Sequence, residues 1–195
     1  TSSAPAASGV PYTGATGAVN LGAYSLTVSS FTIGQGKTPA NGDNLAIGRS
    51  ALNNTTANGW PNIGLGSFSL NQTTDGKYNI GIGLNALYAN TTGSNNIGIG
   101  YYAGRYASTS SNITAVGMEA LRNESGAGNT AIGSYAGKVG SGGPYNNTTN
   151  STFLGYNAKA QSGLDNVIVI GYNAYTNEHN TIQLGNGSIV KLKTS

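Results

Sequence analysis

Nine times between residues 47 and 185 a large aliphatic residue is followed directly by glycine: Ile47-Gly48, Leu65-Gly66, Ile82-Gly83, Ile99-Gly100, Val116-Gly117, Ile132-Gly133, Leu154-Gly155, Ile170-Gly171 and Leu184-Gly185. The glycines are 18, 17, 17, 17, 16, 22, 16 and 14 residues apart. Three residues after each comes a small side chain: Ala51, Ser69, Ala86, Ala103, Ala120, Ala136, Ala158, Ala174 and Ser188. A single-core globule has no reason to keep such a period. A solenoid does, because each unit buries its apolar face only against its neighbours.

The unit is too short for a pair of helices. Its apolar residues alternate, as in Ile80-Gly81-Ile82 and Ile168-Val169-Ile170, which is the period of a strand, and Gly, Asn and Thr bound these segments. Each copy reads as one coil of an all-β parallel solenoid. A short strand ends at the aliphatic residue, the glycine bends the chain, a second short strand carries the small residue, and a polar loop returns. Glycine at the bend suits a positive φ or a close backbone approach. A longer loop at 137–150 accounts for the spacing of 22. About nine coils stacked ~4.8 Å apart make a rod on the order of 40 Å long.

The pleat assigns faces. The aliphatic residue before each glycine and the one two places earlier (Leu45, Ile63, Ile80, Ile97, Ile168, Ile182) share a face, and they are expected to fill the coil. Between them lie Ala46, Gly64, Gly81, Gly98, Ala115 and Ala131, expected to form an outer face that a neighbouring chain approaches closely. A narrow coil buries too little to stand alone, so oligomerisation around that face is expected. Phe153, Val169 and Gln183 occupy the same place in later copies, so the packing must change toward the C-terminus.

Upstream, residues 1–9 are rich in Ala, Ser and Pro and read as a flexible lead-in. Val19, Leu21, Leu26 and Val28 suggest a small β element, and Thr32-Ile33-Gly34 suggests a degenerate first repeat. The division expected is a lead-in with a small β element over 1–40 and the repeat domain over 41–195. A start at Thr1, without Met or targeting signal, suggests a processed product or a fragment.

Composition narrows the function classes. Charged residues make up 8% and the net charge is +3, while aliphatic residues recur on schedule, which argues against disorder. The nine basic residues look scattered, with no basic stripe interleaved with aromatics, so nucleic acid is not an expected partner. Cysteine is absent, which excludes disulfides and thiolate metal sites. No apolar run approaches the ~18 residues of a membrane span, so membrane insertion is not expected.

The units Asn44-Leu45-Ala46-Ile47-Gly48-Arg49-Ser50-Ala51-Leu52 and Asn129-Thr130-Ala131-Ile132-Gly133-Ser134-Tyr135-Ala136 carry the pattern Asn-x-x-Ile-Gly-x-x-Ala. This pattern resembles the head repeat of YadA-type trimeric autotransporter adhesins. The longer period, with loops such as Tyr88-Ala89-Asn90-Thr91-Thr92-Gly93-Ser94-Asn95-Asn96, is more similar to variants in bacteriophage tail fibres and phage-derived fibre proteins. So is the lead-in from Val10-Pro11-Tyr12 to Asn20-Leu21-Gly22, and Asn180-Thr181-Ile182-Gln183-Leu184-Gly185-Asn186 resembles a closing repeat. The resemblance covers about 150 residues. It implies a left-handed parallel β-roll with three chains per fibre, outside a cell or virion. It also implies attachment to a cell-surface glycan or protein receptor and joining to other fibre segments. Alternatives are an autotransporter adhesin head, a passive spacer and, more remotely, an ice-binding solenoid. The chain departs from the pattern in loop length and in an Asn one position earlier at Asn112 and Asn166.

No enzymatic activity or cofactor is expected. Gly81-Ile82-Gly83-Leu84-Asn85-Ala86 matches a dinucleotide fingerprint, but it recurs with the period and no helical pattern follows. The six carboxylates fall in different copies, unlike the paired acids of a glycosidase. Glu119 and Glu124 straddle a repeat boundary and are expected to solvate it. His179 is the sole histidine and is expected at the surface of the last loop, so no metal site or His-based triad can be assembled. The many Asn-x-Thr/Ser sites read as turn formers. The candidate recognition residues are the loop aromatics Trp60, Tyr78, Tyr88 and Tyr145, because such rings suit sugars and protein surfaces. Tyr101, Tyr102, Tyr135, Tyr156, Tyr172 and Tyr175 follow the bend and are expected to pack between coils or chains.

Overall fold

The computed structural model describes residues 26–28, 31–34, 44–55, 61–123, 126–138 and 147–188. Strands β1 (Leu26–Val28) and β2 (Phe31–Gly34) form an antiparallel hairpin. One strand per repeat follows: β3 (Leu45–Ile47), β4 (Ile63–Leu65), β5 (Ile80–Ile82), β6 (Ile97–Ile99), β7 (Thr114–Val116), β8 (Thr130–Ile132) and β9 (Thr152–Leu154). After these come β10 (Lys159–Ala160), β11 (Ile168–Ile170), β12 (Tyr175–Thr176) and β13 (Ile182–Leu184). From β3 onward the main sheet is parallel, each strand pairing with its equivalent in the next repeat, so that Ile80 lies opposite Ile97 and Gly81 opposite Gly98. The chain is therefore an all-β parallel solenoid, with no helix among the described residues. Thr32-Ile33-Gly34 is not a first repeat. It runs antiparallel to β3, with Ile33 opposite Ile47 and Gly34 opposite Ala46, and so ends the parallel ladder. The flexible lead-in proposed for residues 1–9 and the segment around Val19 lie outside the described residues.

The bend glycines Gly48, Gly66, Gly83, Gly100, Gly117, Gly133, Gly155 and Gly171 have φ between +124° and +130°, and Gly185 has +74°. Two constraints coincide at Gly83. Its φ of +128° lies outside the range of L side chains, and a Cβ there would meet the Gly100 carbonyl oxygen at 2.6 Å. Stacking glycine on glycine lets successive bends nest.

The structure reverses the expected facing. Ala46, Gly64, Gly81, Gly98, Ala115 and Ala131 point into the coil and are buried, so they cannot form an inter-chain face. Ile80 and Ile82, expected as filling, point outward and are half-buried. The filling comes from the fourth residue after the bend, Leu52, Leu70, Leu87 and Leu121, each at 0% exposure. A Cβ on Gly64, Gly81 or Gly98 would lie 3.2, 3.1 or 2.7 Å from the Cγ of Leu52, Leu70 or Leu87. The coil holds one large side chain at that level, and the leucine takes the space. Where the fourth residue is Gly104 or Gly137, Leu87 or Leu121 of the preceding coil reaches in, 2.7 and 2.5 Å from where a Cβ would be, and Ile113 or Phe153 closes the space from the other side at 3.3 and 3.0 Å. Small and large residues thus exchange sides while the interior stays filled, as close packing demands.

The second segment is a strand only in the later repeats, where β10 and β12 pair in parallel. Earlier it is a turn in which the second and fourth residues after the bend are left-handed: Phe68 at φ 58° and Leu70 at 49°, Asn85 at 56° and Leu87 at 49°, Glu119 at 56° and Leu121 at 47°. Each such residue costs ~1–2 kcal/mol for a side chain with a Cβ. The hydrogen bonds to the coils on both sides hold it. Asn85 N–H donates to Ser67 O in the preceding coil at 3.0 Å, and Leu87 N–H to Ala103 O in the following one at 2.9 Å.

A buried asparagine before each early strand joins the coils. Asn62, Asn79 and Asn96 donate their backbone N–H to the Oδ1 of Asn44, Asn62 and Asn79 at 2.8, 2.9 and 3.0 Å. Their side-chain amides donate to Gly76 O, Gly93 O and Ser110 O. Asn112 and Asn166 are not displaced members of this ladder. They occupy the preceding left-handed position (φ 61° and 54°), which Asn95 also takes (φ 59°), while Ile113 and Val167 fill the ladder place.

Candidate functional site

Two surfaces stand out among the described residues. The first is the outward side of the parallel sheet. Its column before the bend is aliphatic in every repeat, and Leu65, Ile99, Ile132, Leu154 and Leu184 are 37–46% exposed. Beside it run Leu45, Ile63, Ile168 and Ile182. The strand register keeps the pre-bend column unbroken along the rod, whereas the row beside it passes through Thr114, Thr130 and Thr152 between Ile97 and Ile168.

The second surface lies on the other layer. Tyr88, Arg105, Arg122 and Lys138 each stand five residues after a bend glycine, so the 17- and 16-residue spacings stack them in one column. Their neighbours are Tyr102, Tyr106 and Glu119. The Arg105 guanidinium carbon lies 4.2 Å from the Tyr102 ring centroid, 4.9 Å from that of Tyr106 and 5.5 Å from that of Tyr88. Arg122 stands 4.9 Å over Tyr102, and Lys138 4.8 Å over Tyr135. Glu119 Oε2 accepts hydrogen bonds from Arg122 at 3.0 Å and from Lys138. Burial pushes the Glu119 carboxyl up, but the hydrogen bonds and charges of Lys138 and Arg122 outweigh it and hold the group below the usual carboxylate range. Burial lowers Arg122, and the Glu119 carboxylate more than offsets that, raising it. Arg105 has no carboxylate partner among the described residues, and its Nε is buried without an acceptor.

These contacts correct two expectations. The basic residues are not all scattered, since three of them align beside tyrosines. Glu119 does not solvate a repeat boundary; it is a buried acid shared by two cations. The repeat spacing was the signal that could have found both.

Of the candidate recognition residues, Tyr88 joins the Arg105 cluster. Tyr78 is 52% exposed, and its φ of 56° takes the left-handed place that Asn95 fills one coil later. Trp60 and Tyr145 lie outside the described residues. Tyr135, Tyr156 and Tyr172 pack from coil to coil, with ring centroids 5.8 and 5.5 Å apart, and Tyr101 stacks on Tyr102 at 3.9 Å. His179 is exposed, and its Nδ1 accepts the Asp165 N–H at 3.1 Å. Among the described residues no cluster of His, Asp and Glu is placed to hold a metal ion, and no helix is long and apolar enough to cross a membrane. No protein-family model, curated protein or solved structure matches this chain.

Proposed function

We propose that this chain is a structural and adhesive fibre segment. Three copies of a left-handed parallel β-roll associate through their aliphatic sheet faces, outside a cell or virion, and attach to a cell-surface glycan or protein receptor. One observation carries the association. A single chain leaves one unbroken aliphatic column half-exposed along the sheet, flanked by further Leu and Ile in the early and late coils, whereas soluble monomers rarely expose continuous apolar patches of that extent. The interface differs from the one expected from sequence, because the small residues point inward and the large ones outward. The threefold number and the extracellular setting rest on the resemblance of the repeats to trimeric adhesin and phage-fibre heads. Three copies of each surface feature on a rigid rod would strengthen weak attachment by avidity.

The test is binding of the labelled protein to a panel of bacterial cells, compared with an Ile82→Asp/Ile99→Asp variant. Charges on the aliphatic face should dissociate the oligomer and weaken cell binding by about 10²-fold or more through lost avidity. Equal binding by a folded, dissociated variant would contradict the reading, as would absence of binding to any cell tested.

A further inference from the structure

We infer that the belt centred on Arg105 is a binding site for the anionic sugar units of an acidic polysaccharide; this rests on the adhesive reading above and names the chemistry of its ligand. Arg122 and Lys138 already share the Glu119 carboxylate. Arg105 does not. Its guanidinium is held by the rings of Tyr88, Tyr102 and Tyr106, and no described carboxylate neutralises it. A planar cation fixed by aromatic faces is preorganised for two-point contact with a carboxylate or sulfate. Tyr88 and Tyr106, half-exposed beside it, offer ring surface for a sugar and hydroxyls for its polar edge.

The column gives the site a direction. Tyr88, Arg105, Arg122 and Lys138 come from successive coils, so an extended polymer lying along the rod meets one of them per coil. Charge balance selects the polymer. Three cations against one carboxylate leave a modest positive excess, suited to spaced anions. Glu119, held between Arg122 and Lys138, opposes the dense phosphates of a nucleic acid, which is bound chiefly through many cationic contacts.

The full chain in its native oligomeric form would be tested against polygalacturonate, dextran sulfate, neutral dextran, anionic phosphatidylglycerol vesicles and single-stranded poly(dT). Salt-sensitive binding to polygalacturonate or dextran sulfate, but not to dextran, is expected; whichever of the two is preferred identifies carboxylate or sulfate as the anion. Arg105→Gln should weaken it on the order of tenfold at unchanged mass and unfolding temperature, and Arg105→Lys should fall between. Tyr88→Ala, which removes an outer ring, should also weaken binding and serves if Arg105→Gln does not fold. The inference is overturned by failure to bind both anionic polysaccharides, by equal binding of dextran, by binding unchanged in these variants, or by preference for vesicles or poly(dT). Cell attachment that persists without polysaccharide binding would refute this site and leave the adhesive reading standing. Polysaccharide binding without attachment to any cell would do the reverse.

Discussion

Leu87 occupies the space that a side chain at Gly98 would need, with a Cβ on Gly98 falling 2.7 Å from Leu87 Cγ. The pair shows how the coil is filled: a glycine on the strand and a leucine on the turn share one volume. Leu87→Ala should cost ~2–5 kcal/mol, as expected when a fully buried leucine leaves a cavity. Gly98→Val should cost about 1–3 kcal/mol by overpacking. In the double variant the new side chain would enter the vacated space, so its loss should be smaller than the sum of the two. Chemical denaturation of the three variants measures this.

The asparagine ladder makes a separate prediction. Asn79 Oδ1 accepts the Asn96 N–H at 3.0 Å, and its amide donates to Gly93 O at 2.9 Å. Asn79→Ala would leave the buried Asn96 N–H unpaired, while Gly93 O would keep the Asn90 amide at 3.2 Å, costing on the order of 1–3 kcal/mol. Hydrogen exchange should show faster loss of protection at the Asn96 amide than at amides several coils away.

Bend geometry sets a stricter limit. At Gly83 the backbone has φ +128° and the next coil's carbonyl oxygen would be 2.6 Å from a Cβ. Gly83→Ala should disrupt the stack, seen as loss of cooperative unfolding or failure to accumulate folded protein. Gly163, with no atom within 4 Å of a Cβ and φ +80°, should accept alanine with only the backbone strain of about 1–2 kcal/mol.

Acid should act through Glu119. Its carboxyl is held below the usual range by Lys138 and Arg122 after burial is offset. A depressed folded-state value means that the stabilisation is present above the unfolded carboxylate pKa and is lost as pH falls through the folded one. Glu119→Gln should lower the melting temperature at neutral pH and flatten its decline on acidification. Melting curves across that acid range check this.

Much of the fold was legible because its periodic signals are strict. Glycine at the bend and a small residue three places later fix coil phase, and the glycine lies where nothing larger fits. The facing was not legible. A three-residue strand such as Ile80-Gly81-Ile82 puts two residues on one side and one on the other, and alternation cannot say which side is inward. Deciding it required Leu70 and Leu87, whose left-handed turns follow no strand period. Tyr88 was visible as a loop aromatic. Its partners Arg105 and Arg122 were hidden because spacing by a whole repeat reads as scatter until the coils are stacked.

We propose that the aliphatic sheet face is covered by two further copies of this chain. Sedimentation equilibrium of the purified protein tests it most directly. The expected mass is three times the 19.6 kDa of one chain, falling to a single chain in a folded Ile82→Asp/Ile99→Asp variant. A stable monomer of the unaltered sequence would contradict it.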